Sequence, residues 1–511
     1  MGQEPPALRP AHGTQPDHER TAGVTRNTRM SLKKDVLHGL KWVAGAKFAS
    51  QIVSWVITII VMRMLVPADY GLMAMASVFL AWCAMFVEMG LAPALVQAKE
   101  VSTQKLRQAY GLFMLVNFAV VALLVTFAPL AEQFFDEPHL ANLIRLMSLQ
   151  FVLTPFGLVS EVLLQRGLNF RARSLLDLSQ SVITAIVTLA LAWWGMGVWA
   201  LALGIIVAAV YRTIAVNVVA PFPHLPLFSW HGMRELFTFG GKISASRFLW
   251  FFFTQADTVI IGRTLGGEIL GVYSVALHLA SLPVQRVSGI LNQVAFPALA
   301  RYQNDRAAIA RQLLKAFELV SLVAFPVLWG MAATASDIVL VFLGRHWEEA
   351  ILPLRVLALI MPFRTVVQFL PAITDAVGRP GIALQNGIVA CTLMPVAFYV
   401  GTHWGIFGVA MAWALVYPIV LLINMHRMLG VIGLTMGEVA LRMLPAMLSA
   451  AAMCAAVTGV HGMLVDMADR HIALAIQVGA GAIAYVAASC LLNRAAVAQV
   501  WGMVRRKRQV A

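Results

Sequence analysis

Apolar runs of roughly 20 residues recur along nearly the whole chain, separated by short polar turns. A helix needs about that many residues to cross the roughly 30 Å hydrocarbon core of a bilayer. The pattern predicts fourteen spans, at 42–64, 71–96, 109–131, 141–163, 175–195, 198–219, 236–257, 269–295, 313–335, 351–376, 380–402, 404–426, 439–462 and 471–492. The expected fold class is therefore an all-α integral membrane protein. No loop exceeds about 20 residues, which leaves no room for a soluble catalytic domain on either face.

The basic residues orient this bundle. Of 38 Lys and Arg residues, about 27 fall in or beside loops on the side carrying both termini, about six on the opposite side, and five inside spans. Cytoplasmic loops hold the excess of Lys and Arg, so both termini are expected in the cytoplasm. Residues 1–36 are polar, lack a long apolar run, and read as a disordered cytoplasmic tail rather than a signal peptide. Met30 heads MSLKKDVLHGLKW, a more natural beginning, so Met1 and Met30 both stand as candidates for the true start. The stretch Ala300–Ala316 has the spacing of a basic surface helix as well as that of a plain connector.

The spans repeat. GAKFAS at Gly45–Ser50 answers GGKISA at Gly240–Ala245, LVPADYG at Leu65–Gly71 answers LGGEILG at Leu265–Gly271, and PAL recurs at Pro93 and Pro297, at offsets growing from 195 to 200 to 204. WGMGVWAL at Trp194–Leu201 answers WGIFGVAM at Trp404–Met411. The organisation expected is a six-helix half at 37–222, a second at 234–428, two extra helices at 438–493 and a basic cytoplasmic tail at 494–511. An even number of spans per repeat makes the copies parallel, and transporters built from repeats bind substrate between them.

Composition agrees with the hydropathy pattern: 60% of residues are hydrophobic and 12% charged, with mean hydropathy +0.79. The net charge of +14 follows from orientation in the membrane and calls for no nucleic acid. Cys83, Cys391, Cys454 and Cys490 are scattered through apolar segments and read as small core residues. There is no GxxxxGK[ST] or HExxH, and the outer acidic residues (Asp69, Glu132, Asp136, Glu137, Glu348, Glu349) are dispersed. No catalytic residue, metal or cofactor is therefore expected, and the chain does not read as an enzyme.

Polar residues inside spans carry the remaining chemistry. A charge at mid-membrane costs about 2.5–3.5 kcal/mol on insertion scales, so it faces a wet cavity or a partner. At about 100° per residue, Lys47, Gln51, Ser54 and Thr58 share a face of the first span, and Lys242, Ser246 and Asp257 share one of the seventh. His278, Ser281, Gln285, Ser288 and Asn292 form a stripe on the eighth, and Arg364, Gln368 and Asp375 align on the tenth. The five basic residues Lys47, Lys242, Arg247, Arg286 and Arg364 are the candidates for a cationic cavity, with Gln51, Gln285, Asn292 and Gln368 as polar lining. Lys47 and Lys242 also lie close enough to span ends to snorkel, and Arg247 and Arg286 lie off the stripes, as ion-pair partners do. Asp257, His278 and Asp375 are candidates for ion coupling, though Asp257 reads equally as an interfacial carboxylate and His278 as a core histidine. A cavity of positive potential favours an anion such as phosphate or pyrophosphate. Prolines at 283, 326, 362, 371, 395 and 418 offer helix breaks and hinges beside it.

The LVPADYG turn, the block FTFGGKISASRFLWFFFTQADTVIIGRTLGGEILGVYSVA, FPALARYQ and the WG repeats together resemble Wzx-type polysaccharide (O-antigen or exopolysaccharide) flippases. These belong to the multidrug/oligosaccharidyl-lipid/polysaccharide exporter superfamily. The resemblance covers Leu37 to Leu492. It implies movement of an undecaprenyl-pyrophosphate-linked oligosaccharide repeat unit across a bacterial inner membrane, through a cationic cavity, by alternating access of the two halves. A polysaccharide polymerase and a chain-length regulator are implied as partners beside the bilayer and the lipid-linked glycan. A drug or cation exporter of the same superfamily is the chief alternative, with a carboxylate-rich cavity and commonly twelve spans. A lipid II flippase would differ only in its glycan. The loop VQAKEVSTQKLRQAYG after the second span departs from the major-facilitator pattern, and short loops disfavour a membrane glycosyltransferase.

Overall fold

A computed structural model describes residues 53–87, 95–96, 101–167, 169–228, 234–300, 306–367, 370, 379–464 and 469–494. They form a multi-pass bundle of α-helices joined by short turns. The helices are α1 (Val53–Met64), α2 (Pro67–Val87), α3 (Thr103–Phe135), α4 (Leu140–Arg166), α5 (Phe170–Trp193), α6 (Val198–Val219) and α7 (Arg234–Ala300). Then follow α8 (Arg306–Ala333), α9 (Ile351–Val367), α10 (Pro380–Gly401), α11 (Gly405–Ile432), α12 (Met436–Leu464) and α13 (Arg470–Leu492). Ten described stretches are long and apolar enough to cross a membrane, and Gly381–Ile432, counted as one of them, contains both α10 and α11.

Local chemistry sets the helix ends. Ser102 caps α3 by accepting from Lys105 N, and α3 stops where Asp136 turns left-handed at φ 56°. Thr435 and Glu438 form a reciprocal capping box before α12, Thr435 N donating to Glu438 Oε2 at 2.8 Å and Glu438 N to Thr435 Oγ1 at 3.3 Å. Gly266 breaks α7 at φ 86° into two arms that fold back on each other, so that Tyr273 reaches Asp257 16 residues earlier. The two WG turns adopt related backbones: Gly195 has φ 76° and Gly405 φ 62°. Each follows an exposed tryptophan, Trp194 or Trp404, as an interfacial aromatic belt requires.

The most extensive helix pairing joins α2 to α7, and glycine makes it possible. A Cβ on Gly71 would overlap the Gly267 carbonyl, and one on Gly271 would overlap the Pro67 carbonyl. Backbone therefore meets backbone along this seam, as small residues permit in membrane helices. The contact is reciprocal: Pro67 and Gly71 stand 200 positions before Gly267 and Gly271, so each partner of one glycine corresponds to the partner of the other. Three further bonds tie the same region, which lies on the Lys- and Arg-poor side. Gly267 N donates to Glu137 Oε1 at 2.9 Å, while Asp69 accepts from Val66 N at 3.2 Å and Val198 N at 2.9 Å.

The last two helices pack on α8. Tyr485 donates to Leu322 O at 2.7 Å, Arg442 pairs with Glu318 at 3.3 Å, and Gln477 and His461 meet the buried Asp337 at 2.9 and 3.1 Å.

Replacing Gly271 with valine should lower the melting temperature of the detergent-purified protein by several degrees, because overpacking costs about 1–3 kcal/mol. Gly430→Ala, whose added methyl would meet nothing, should leave it within a degree or so.

Candidate functional site

Five helices enclose a cavity of about 530 Å³ within the first part of the chain: α1, α2, α5, α6 and the second arm of α7. That volume lies in the roughly 300–1,000 Å³ range of ligand sites. Its polar lining includes Ser54, Thr58, Ser77, Gln180, Thr184 and His278, and no Lys, Arg, Asp or Glu lines it among the described residues.

Three of the cavity hydroxyls have a defined polarity. Thr58 donates to Ser54 O at 2.8 Å, Ser77 to Met73 O at 2.6 Å, and Thr184 to Gln180 O at 2.8 Å. Each proton is held by the carbonyl one turn back, the usual arrangement for Ser and Thr in helices. The lone pairs of these three oxygens are left for the cavity, beside Gln180 and His278, which can donate as well as accept.

A second space of about 580 Å³ adjoins the first and shares Gln180, Thr184 and Ile205 with it. Arg212 and Glu161 stand on its wall. The Arg212 guanidinium spans two carboxylates, with Nη1 at 2.7 Å from Asp177 and Nη2 at 2.7 Å from Glu161. Arg173 adds a weaker contact to Glu161 at 3.5 Å. The cluster joins α4, α5 and α6 with no net charge. Counting basic residues by loop placed Arg212 with the flanks, but it lies seven residues inside the end of α6. Its helical depth, together with Glu161 and Asp177, was the signal that could have found it.

A second polar chain links α7, α11 and α9. Asp257 is 2% exposed. Its Oδ2 accepts from the Tyr273 hydroxyl at 2.6 Å, and its Oδ1 from Thr258 N at 2.8 Å and Thr258 Oγ1 at 3.4 Å. Trp413 Nε1 donates to the Tyr273 hydroxyl at 2.8 Å. Arg364 lies over the Trp413 ring, its Cζ 5.3 Å from the centroid, a cation–π contact. The first arm of α7 continues to the break at Gly266, nine residues beyond Asp257, so the carboxylate lies roughly 13 Å below that turn. It is a buried group rather than an interfacial one.

The remaining candidates divide by position. Ser54 and Thr58 of the first stripe and His278 of the eighth-span stripe meet in one cavity. Gln285 is exposed. Lys242, Arg247, Arg286 and Asn292 lie on α7, whose described side chains run from Phe251 to Gln285. Along the helix these four stand about 24, 19, 20 and 26 residues from Gly266, at least roughly 28 Å from that outer turn. Lys47, Gln51, Gln368 and Asp375 lie outside the described residues, and no cluster of metal-ligating side chains occurs among the described ones.

Residues 60–352 match the polysaccharide biosynthesis protein family. The chain is similar to the teichuronic acid biosynthesis protein TuaB of Bacillus subtilis (strain 168), 25% identical over 89% of this chain and 95% of that protein. It is also similar to the succinoglycan biosynthesis transport protein ExoT of Rhizobium meliloti (strain 1021), 27% identical over 78% of this chain and 79% of that one. Among solved structures, the lipid II flippase MurJ in an inward closed conformation superposes with a TM-score of 0.69 and 17% identity, covering 88% of this chain and 98% of its own. That likeness shows the fold: an all-α, multi-pass membrane architecture.

Tyr273→Phe removes the donor to Asp257 and the acceptor for Trp413 in a buried site. It should destabilise the protein by about 1–3 kcal/mol, read as a lower melting temperature, whereas Tyr399→Phe, at an exposed ring, should change little.

Proposed function

The chain belongs to the polysaccharide biosynthesis protein family, and from that premise we propose that it is a flippase for lipid-linked oligosaccharide repeat units. The lipid is proposed to be undecaprenyl pyrophosphate, and the direction cytoplasmic to periplasmic leaflet of a bacterial inner membrane. The observation that carries this reading is the uncharged, polar-lined cavity of about 530 Å³. Sugar hydroxyls are hydrogen-bond donors without charge, and a wall of Ser, Thr, Gln and His oxygens and nitrogens suits them. The name of the similar transport protein ExoT supports the same reading.

In this proposal the two halves, 37–222 and 234–428, alternate access to the cavity, while the polyprenyl tail stays in lipid. The pyrophosphate meets Lys47, Lys242, Arg247, Arg286 and Arg364, with Gln51, Gln285, Asn292 and Gln368 beside them. The α7 positions support this division of labour: Lys242, Arg247 and Arg286 stand further from the Gly266 turn than Asp257 does. Asp257, His278 and Asp375 are proposed for ion coupling. Burial of Asp257 among neutral donors and exposure of His278 to the cavity support the first two. The polymerase and chain-length regulator would act on units after delivery.

Depletion of the protein should trap repeat units on the cytoplasmic leaflet, out of reach of an impermeant glycan label on spheroplasts, and re-expression should make them accessible. Normal labelling of units that then fail to polymerise would place the function downstream of transport. The Arg286→Ala/Arg364→Ala double variant should lower glycan export at least tenfold at unchanged membrane abundance; undiminished export would remove both residues from the proposal.

A further inference from the structure

After α8 the chain leaves regular α geometry. A short helix at Ala335–Ile338 passes into a π-helical turn at Val339–Leu343, then Gly344 at φ 101°, then a 3-10 helix at Arg345–Ala350. Such irregular turns concentrate where a helix serves a local purpose. Within the 3-10 segment Arg345, His346, Glu348 and Glu349 are exposed, whereas Trp347 is fully buried. It is a single large apolar side chain turned inward from a charged surface.

The indole is seated on the opposite half of the chain. Its Nε1–H donates to the Met62 carbonyl, 285 residues earlier, at 2.9 Å. Its ring meets Tyr70 edge to face with centroids 5.5 Å apart. The Met62 carbonyl is open to a side-chain donor because α1 ends there. Leu65 N turns back to Val61 O, Val66 N is bound by Asp69 Oδ2, and Pro67 has no N–H. Met62 and Tyr70 also line the uncharged cavity. The indole therefore stands between that cavity and the charged outer surface, and bridges the two halves beside the glycine seam.

We propose that Trp347 is the latch of the outer gate: the cavity opens away from the cytoplasm only when the indole leaves Met62 and Tyr70. This rests on the alternating-access reading above but is tested without a glycan. Any separation of the halves on this side pulls the indole from its seat, because the donor and the acceptor belong to different halves. While it is seated, the bond satisfies a helix-end carbonyl that has no other partner among the described residues.

The test places one reporter cysteine, Ala74→Cys, on the cavity wall of a chain whose four native cysteines are replaced. Right-side-out spheroplasts are then treated with a membrane-impermeant maleimide. With Trp347 present, labelling should be slow. Trp347→Phe keeps a ring and loses the bond, and should speed labelling about fivefold, as loss of one hydrogen bond worth about 1 kcal/mol implies. Trp347→Ala should speed it further, and Tyr70→Leu, which keeps the bond and loses the ring contact, should fall between parent and Trp347→Ala. A Glu349→Cys reporter on the surface should label equally in every background. Labelling within twofold of the parent, or slower, in Trp347→Phe and Tyr70→Leu at normal membrane abundance would overturn the latch. Glycan sidedness is read separately, so unchanged labelling with normal export discards the latch alone, and faster labelling without any trapped glycan keeps the gate and discards the substrate.

Discussion

Backbone contact between α2 and α7 is the constraint on which the rest of the structure depends. A lipid bilayer offers no hydrophobic reward for bringing two apolar helices together, so close packing has to supply the attraction. Gly71 and Gly271 supply it by letting the helices approach until carbonyls fill the space a side chain would take. Fixing α2 and α7 together makes a shared wall for the polar space beside α2. It also explains the density of interactions around the seam, from Asp69 and Glu137 at helix ends to the indole of Trp347.

The charges of the membrane interior fall into two kinds. Arg212 is neutralised locally by Glu161 and Asp177, and that cluster ties three helices. Asp257 is satisfied instead by neutral donors, with Arg364 at a distance across an aromatic ring. A carboxyl held this way has no ion-pair partner among the described residues, so a nearby change of charge alters its energy far more than it would in water. The first arrangement resists change and the second responds to it.

Much of the fold was legible because hydropathy and the Lys/Arg bias depend on length and position alone. Helical periodicity put Ser54 and Thr58 on one face of a span and His278 on the stripe of another; that the two faces meet in one cavity comes from packing. The repeat LVPADYG/LGGEILG was visible as residue identity, and its physical meaning is that glycines recur where backbones touch. What stayed hidden depended on pairing or on helix ends. A run of apolar residues does not reveal that the first arm of α7 continues past Asp257 to Gly266, so the depth of that carboxylate was underestimated. Arg212 looked like a loop cation because its partners lie 51 and 35 residues away. Trp347 sat among charges in a segment with no periodicity, and its partner is 285 residues distant.

The orientation of the cavity hydroxyls has a chemical consequence. Thr58, Ser77 and Thr184 offer lone pairs, and so recognise the hydrogen of a ligand hydroxyl rather than its oxygen. Esterifying or methylating that hydroxyl removes the hydrogen while leaving the sugar ring in place. On the flippase reading, such decoration would loosen the grip of Thr58, Ser77 and Thr184 even where the enlarged sugar still fits. The order in which a cell decorates and exports its glycan would then be set in part by three protons already held by the helix backbone.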